Sequence, residues 1–478
     1  MTNATSLKAV EEEKKRIHNR VFQVGKPDNS LNIGDWKETI DANFPHYRFA
    51  AEVGLSVAAQ ILLNDVRNPF ALVLVDVPSA GKTITINFFS DIPGISYSTD
   101  VFSPASFVSN SSNVKRKDLE KIDLLPRIRH KLFLIRDLAP IFGQRDDDLL
   151  KSLGVLTRVL DGEGLQTDTG VHGQRGYTGD YLFNVLAGST PMNPRVWKLM
   201  GNLGSRLFFL NLNSPDKSDD DLVAQIKRGP YKESERMCRD ATSDFINTLW
   251  HEHSNGIEWN KNDDNPELIK VIIHCARLLA KLRGTINVWE ERAESGTRYN
   301  FTSPTIEKPD RILTCLYNLA RGHAVIHGRS KLEAEDLKPP LALARDSAPP
   351  ARAKLFKKLV QHGGTMTTSQ VEEELNCSKP TALKEMKALS ILGVVQMMGD
   401  PETEVGRPEA EIMVEDDFRW FVTSTHTGEN ALLNTGDDKI DKASRVNKAN
   451  LTVHTGVNPN FEQDLREVFS QNIKTSDL

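Results

Sequence analysis

The stretch Val73-Leu-Val-Asp-Val-Pro-Ser-Ala-Gly-Lys-Thr83 runs from an apolar, β-branched segment through a tight loop into a helical pattern that continues past Phe88 and Phe89. That order suits phosphate. Backbone N–H groups of the loop and of the helix N-terminus face an anion, a lysine reaches its outer oxygens, and a threonine hydroxyl suits Mg²⁺. Pro78, Ser79, Ala80, Gly81, Lys82 and Thr83 are therefore the candidate nucleotide-binding residues, with ATP and Mg²⁺ as the expected ligands. The loop departs from the common GxxxxGK[ST] pattern in two places: Asp76 replaces the first glycine, and Ser79 stands where a second glycine is frequent. A purely structural turn is the alternative reading.

Working outward, strand-like runs at Phe70–Val75, Ile95–Thr99, Lys131–Ile135, Leu182–Leu186 and Arg206–Leu212 alternate with helical patterns. Such alternation predicts an α/β fold with a mostly parallel sheet covered by helices. The run at Lys131–Ile135 ends in Arg136-Asp137. In P-loop ATPases a neighbouring strand delivers carboxylates to Mg²⁺ and to the attacking water. Only one of the usual two acids is present here. Asp137 is the candidate base and, with Thr83, the candidate metal ligand; Arg136 fills the other position. Asp146-Asp-Asp148 reads first as charge at a helix N-terminus.

The expected organisation is an N-terminal helical extension (1–45), the α/β core (46–213), a helical region (214–345), a smaller module (350–421) and a polar tail (422–478). With 39% hydrophobic and 26% charged residues, the chain carries enough apolar surface for a core, which excludes wholesale disorder. A net charge of −5 excludes a globally basic protein that coats nucleic acid, so any phosphate contact must come from a local patch. No run approaches the roughly 20 apolar residues that cross a bilayer, and the opening residues lack an apolar signal core. A cytoplasmic location is expected. Cys238, Cys275, Cys315 and Cys377 are widely spaced, which predicts buried thiols rather than a cysteine–zinc cluster or disulfides. His251 and His253 flank Glu252 without the spacing of a helical metal site and are read as surface.

From residue 45 to 421 the order of short segments resembles AAA+ ATPases of the helix-2-insert group, most closely the minichromosome-maintenance (MCM) helicases. DVPSAGKT at 76–83 is similar to their phosphate loop, and LFLIRDLAPI at 132–141 to their Walker B strand and the helix that follows it. Residues 156–193 resemble a helix interrupted by a β-hairpin and then a sensor strand, and the resemblance implies that Thr190 orients the lytic water. LGSRLFFL at 203–210 resembles the segment whose arginine acts on the neighbouring subunit's ATP, which makes Arg206 the finger candidate. Residues 309–337 resemble the lid segment, which implies that Arg311 lies over the γ-phosphate. An arginine supplied in trans implies a homo-oligomeric ring, and the resemblance makes a hexamer the expected size. The N-terminal oligonucleotide-binding domain of MCM proteins has no counterpart in about 45 preceding residues. Each arginine also has a plainer reading: Arg206 as a surface residue, Arg311 as the partner of Asp310 or Glu307.

Residues 350–414 read as a winged helix: helices at Ala351–Gln361, Thr368–Leu375 and Lys379–Leu392, then strand-like runs at Gly393–Met398 and Glu409–Val414. Ser378 is placed to cap the third helix. Leu383, Met386, Leu389 and Leu392 form its apolar face, leaving Lys379, Thr381, Lys384 and Lys387 toward solvent as candidate DNA contacts. Arg407 marks a wing tip, and Arg175, with His172 and Tyr177, a hairpin that in the resembled family projects toward nucleic acid. Winged helices also bind proteins, and Glu372-Glu-Glu374 dilutes the basic surface. Phe461, Leu465, Val468 and Phe469 suggest a short tail helix that docks a protein partner or packs on its own domain. The leading expectation is an ATPase that moves or remodels DNA. The alternatives are a protein-remodelling ATPase and a nucleotide-gated DNA-binding regulator with little hydrolysis.

Overall fold

The computed structural model describes Phe22 and residues 29–109, 118–169, 173–204, 206–214, 218–227, 231–286, 288–293, 296–399 and 409–422. Two compact units emerge: Met1–Asn287 with Phe301–Pro350, and Val288–Asn300 with Ala351–Leu478. The helical region expected at 214–345 thus shares the first unit with the α/β core, apart from the hairpin at its centre.

The first unit is built on five strands: β1 (Ala71–Val75), β2 (Ser96–Thr99), β3 (Leu132–Ile135), β6 (Asn184–Ser189) and β7 (Leu207–Asn211). Their order is β2-β3-β6-β1-β7, and every pairing is parallel. β1 is buried along its whole length because both faces of the sheet are covered, as a continuous apolar run predicts. On one face Val73, Val75, Phe133, Ile135, Val185 and Phe209 join Leu149, Leu153 and Leu156 of the Asp146–Val159 helix in a single core. On the other lies the Arg48–Ala59 helix, and there Phe70 stacks on Phe208 with ring centroids 4.7 Å apart. All five C-terminal strand ends share one edge, which is where open α/β sheets bind ligands. The core is a P-loop α/β fold.

Two elements depart from the sequence reading. β6 begins at Asn184 rather than Leu182 and runs on to Ser189. Asn184 anchors the shift: its Nδ2 donates to Val57 O at 2.6 Å and its Oδ1 accepts from Phe70 N–H at 2.8 Å. The strand then continues through Ala187, Gly188 and Ser189, small residues whose burial comes from their neighbours and not from their own bulk. The region 220–345, expected to be helical throughout, holds a β-hairpin of β8 (Val288–Ala293) and β9 (Gly296–Phe301). Val288, Trp289, Tyr299 and Phe301 supply the strand-favouring residues there.

In the second unit the Pro350–Gln361 helix is followed by β10 (Thr365–Thr367), helices Thr368–Leu375 and Lys379–Ile391, then β11 (Val395–Met398) and β12 (Glu411–Val414). The strands form an antiparallel sheet ordered β10-β12-β11. Thr367 and Gln370 close a capping box on the second helix. Ser378 sits at the cap position of the third, but its hydroxyl pairs with Thr381 Oγ1 at 3.1 Å and not with a backbone N–H, so the expected cap bond is not made. Ala382, Met386, Leu389 and Leu392 form the buried face; Leu383, expected there, is half-buried. No described helix is long and apolar enough to cross a membrane.

Candidate functional site: a phosphate loop and a distant arginine pair

The loop from Asp76 to Gly81 links β1 to the Lys82–Asn87 helix. Gly81 holds φ +86°, and a Cβ there would lie 2.1 Å from the Tyr47 ring, so only glycine fits beneath that tyrosine. Ser79 adopts φ +67°, a left-handed conformation that costs a non-glycine residue about 1 kcal/mol. The backbone therefore takes the shape of a glycine-rich loop even where a serine occupies it. Asp76 has its own task. Its carboxylate accepts from Val77 N–H at 2.7 Å and from Ser214 N–H at 3.0 Å, while Ser214 Oγ donates to Ala80 O at 2.9 Å. The segment after β7 thus clamps the loop from its far side.

Lys82 turns back over the loop and donates to Asp76 O at 2.8 Å and Val77 O at 2.6 Å. Burial lowers its pKa, opposed by the charges of Asp76 and Asp137. Pro78, Ser79 and Thr83 are exposed; Ala80 and Gly81 are buried. Asp137 is exposed at the end of β3, where its Oδ1 accepts from Ala139 N–H at 2.8 Å. Leu138 N–H donates to Gly188 O at 2.8 Å, which ties the Asp137 turn to β6. Thr190 follows directly on β6, whose Ser189 pairs in register with Val75 of β1. Lys82, Thr83, Asp137 and Thr190 therefore share the C-terminal edge of the sheet. Arg136, at the missing carboxylate's position, donates to Asp100 Oδ1 at 2.7 Å, a pairing that nothing in the local sequence announced.

The two remaining arginines lie elsewhere. Arg206 immediately precedes β7, whose Leu207 pairs with Ala71 at the start of β1. Its Nε donates to Asp161 Oδ1 at 2.9 Å, and Arg311 Nη1 donates to the same oxygen at 2.7 Å. Burial works to raise the Asp161 pKa, but the two guanidiniums outweigh it and hold the carboxyl below its usual range. Burial lowers the Arg206 pKa. Arg311 joins Arg206 at the N-terminal edge, the length of a strand away from the phosphate loop. Asp161, the residue that gathers both arginines, was not singled out in the sequence; a lone aspartate in a turn carries no signal.

Of the candidate nucleic-acid contacts, Lys379, Thr381 and Lys384 are exposed, while Lys387 is half-buried and so does not project freely into solvent. Arg175 lies in the hairpin of β4 (Gly164–Thr169) and β5 (Gly173–Thr178), where it donates to Ser109 O at 3.4 Å. Tyr177 of the same strand donates to Asp123 Oδ2 at 2.7 Å; burial and that bond push its phenol up in pKa. The tyrosine braces the hairpin. His172, Arg407 and the tail residues Phe461, Leu465, Val468 and Phe469 lie outside the described residues.

No protein-family model matches the chain, and no curated protein matches it. Solved structures do. A full-length MCM homologue from Methanopyrus kandleri is 12% identical with a TM-score of 0.38 over 67% of this chain, which spans 62% of that protein. A structure described as the active helicase Cch of SCCmec type IV is 10% identical with a TM-score of 0.33, covering 81% of this chain and 71% of its own. The ORC1 protein of Aeropyrum pernix in complex with DNA is 14% identical with a TM-score of 0.23, covering 81% and 94%.

Proposed function

We propose that this chain binds ATP with Mg²⁺ and hydrolyses it as one subunit of a homo-oligomeric AAA+ ring, a hexamer, that acts on DNA. The supporting observation is the division of charged groups between two edges of one sheet: a phosphate loop with a carboxylate at one, and two arginines gathered on Asp161 at the other. A subunit so built cannot complete its own site. Head-to-tail packing of identical subunits brings one edge against the other and closes into a ring when the rotation permits.

In this reading Lys82 leaves the carbonyls of Asp76 and Val77 for the β- and γ-phosphate oxygens. Thr83 and Asp137 offer the oxygen donors that Mg²⁺ prefers, and both are exposed at the same edge. The ion would neutralise charge on the transferring phosphoryl group. Asp137 accepts the proton of the attacking water, and Thr190 orients that water. Arg206 and Arg311 of one subunit stabilise charge on the γ-phosphate held by the next.

The second unit is read as a winged helix, on its helix–strand–helix–helix–strand–strand order and its antiparallel sheet. Lys379, Thr381 and Lys384 line the exposed side of its third helix, suited to phosphate-directed contact with DNA. One observation favours a second reading. The Arg136–Asp100 pair takes the place of a metal-binding carboxylate, which suits a regulator that binds ATP tightly and turns it over slowly. Steady-state ATPase activity with and without single- and double-stranded DNA tests both. Stimulation by DNA, weakening steeply with salt, supports the ring ATPase. Tight ATP binding with negligible turnover under every condition supports the regulator instead.

A further inference from the structure

A second cluster of chemistry-bearing side chains lies away from the phosphate loop, where the Arg48–Ala59 helix packs on the Asp310–Ile326 helix. The packing is unusually close. A Cβ on Gly322 would stand 2.1 Å from Ser56 O, so the two backbones approach as only a glycine allows. This brings Glu52, one turn before Ser56, against His323, the neighbour of Gly322, and His327, one turn further on. Glu52 Oε1 lies 2.9 Å from His327 Nε2 and 3.3 Å from His323 Nε2. Glu52 and His323 are buried, with 5% and 3% of their surfaces exposed.

Three features of this cluster suit a metal ion. First, His323 Nδ1 faces Asp336 Oδ1 at 2.6 Å, and Asp336 is fully buried and also held by Arg329. That contact fixes the orientation of the ring and leaves Nε2 aimed at Glu52 Oε1. Second, Lys37 Nζ also reaches Glu52 Oε1, at 2.8 Å, so three nitrogens crowd one carboxylate oxygen. Third, the arrangement is that of a metal site: histidines spaced i, i+4 on one helical face, a carboxylate from another element, and a buried carboxylate behind one imidazole. The three ligand atoms all lie within 4.8 Å of one another. Ligands about 2 Å from a tetrahedral ion are themselves separated by roughly 3.3 Å.

We propose that Glu52, His323 and His327 bind a Zn²⁺ ion that fastens these two helices together, with Asp336 orienting His323. Imidazole and carboxylate donors suit a borderline divalent cation, and three protein ligands with a water as the fourth are a usual zinc set. Lys37 is the competitor for the site. It is 28% exposed, so its ammonium can withdraw into water when the metal arrives. Arg48, on Glu52 Oε2 at 3.3 Å, leaves Oε1 to the ion. The site is independent of the nucleotide reading.

The test uses the full chain, incubated with ZnSO4, dialysed and assayed for metal, with Co²⁺ substitution as the spectroscopic probe. The expected results are about one zinc per chain, an intense visible d–d band from tetrahedral Co²⁺, and a melting temperature raised by zinc and lowered by chelator. His327→Gln, at the less buried ligand, should lose the metal, the band and the zinc-dependent shift, and Lys37→Gln should bind zinc more tightly. The proposal is overturned if the wild-type chain retains no stoichiometric zinc. It is equally overturned if His327→Gln, shown to be folded by circular dichroism, retains the same metal content, because the ion then sits elsewhere.

Discussion

The two edges of the central sheet carry the candidate chemistry in opposite ways. At the C-terminal edge most of the groups come from one short stretch, Asp76 to Thr83, joined there by Arg136-Asp137 in one turn and Thr190 just past one strand. At the N-terminal edge Asp161, Arg206 and Arg311 are drawn from three separate segments, and the arginines make their bonds to Asp161 across 45 and 150 residues. The first edge is organised by backbone shape, the second by charge. An anion-binding loop needs fixed N–H groups, and under the proposed reading Asp161 holds the two arginines in place for the neighbouring subunit.

The comparison is broken or sharpened by substitutions on each side. Lys82→Ala should have the largest effect, lowering ATP turnover by at least about 100-fold with little change in melting temperature, since the lysine bonds only loop carbonyls. Arg206→Ala should also stop turnover while nucleotide binding survives. Mixing the two inactive proteins then distinguishes the edges. Recovery of ATPase activity in the mixture means that a sound loop on one subunit has met a sound arginine on another. If the mixture stays inactive although mixed oligomers form, or if Arg206→Ala keeps wild-type turnover, the trans assignment fails.

Asp161→Asn should be milder, costing about 1 kcal/mol of stability by urea unfolding, because the carboxylate is partly exposed and solvent screens its ion pairs. The pH dependence follows from the lowered pKa of Asp161. A depressed carboxyl contributes stability above its unfolded pKa of about 3.9 and loses it as pH falls through the lower folded value. Wild type and Asp161→Asn should therefore differ in stability at neutral pH and converge in strong acid. A difference that persists there would point to packing rather than charge.

Sequence legibility followed the same division. The strand–loop–helix around Gly81, the parallel α/β sheet and the helix at Lys379–Ile391 could be read because local periodicity and short spacing encode them. The β8–β9 hairpin could not, since its strands carry Glu290, Glu291, Arg292 and Arg298 and lie within a helical region. The partner of Arg136 could not be read either, because the Asp100 bond depends on β2 lying beside β3. The zinc candidate falls between these cases. His323 and His327 show metal spacing at the end of one helix, but Glu52 contacts His327 from 275 residues away, which no local pattern encodes. The place of Arg311 in the segment order carries no information about its bond to Asp161, which lies 150 residues away.

The clamp between Asp76 and Ser214 has a consequence for anyone who wishes to rebuild this protein. The loop's shape is written twice, once in its own residues and once in the chain that leaves β7. Restoring glycine at 76 to mimic the commoner pattern would remove one half of that inscription and leave Ser214 N–H without its acceptor. A transplanted loop would keep its form only when both halves travel together, so the unit of exchange here is a pair of segments separated by most of the domain.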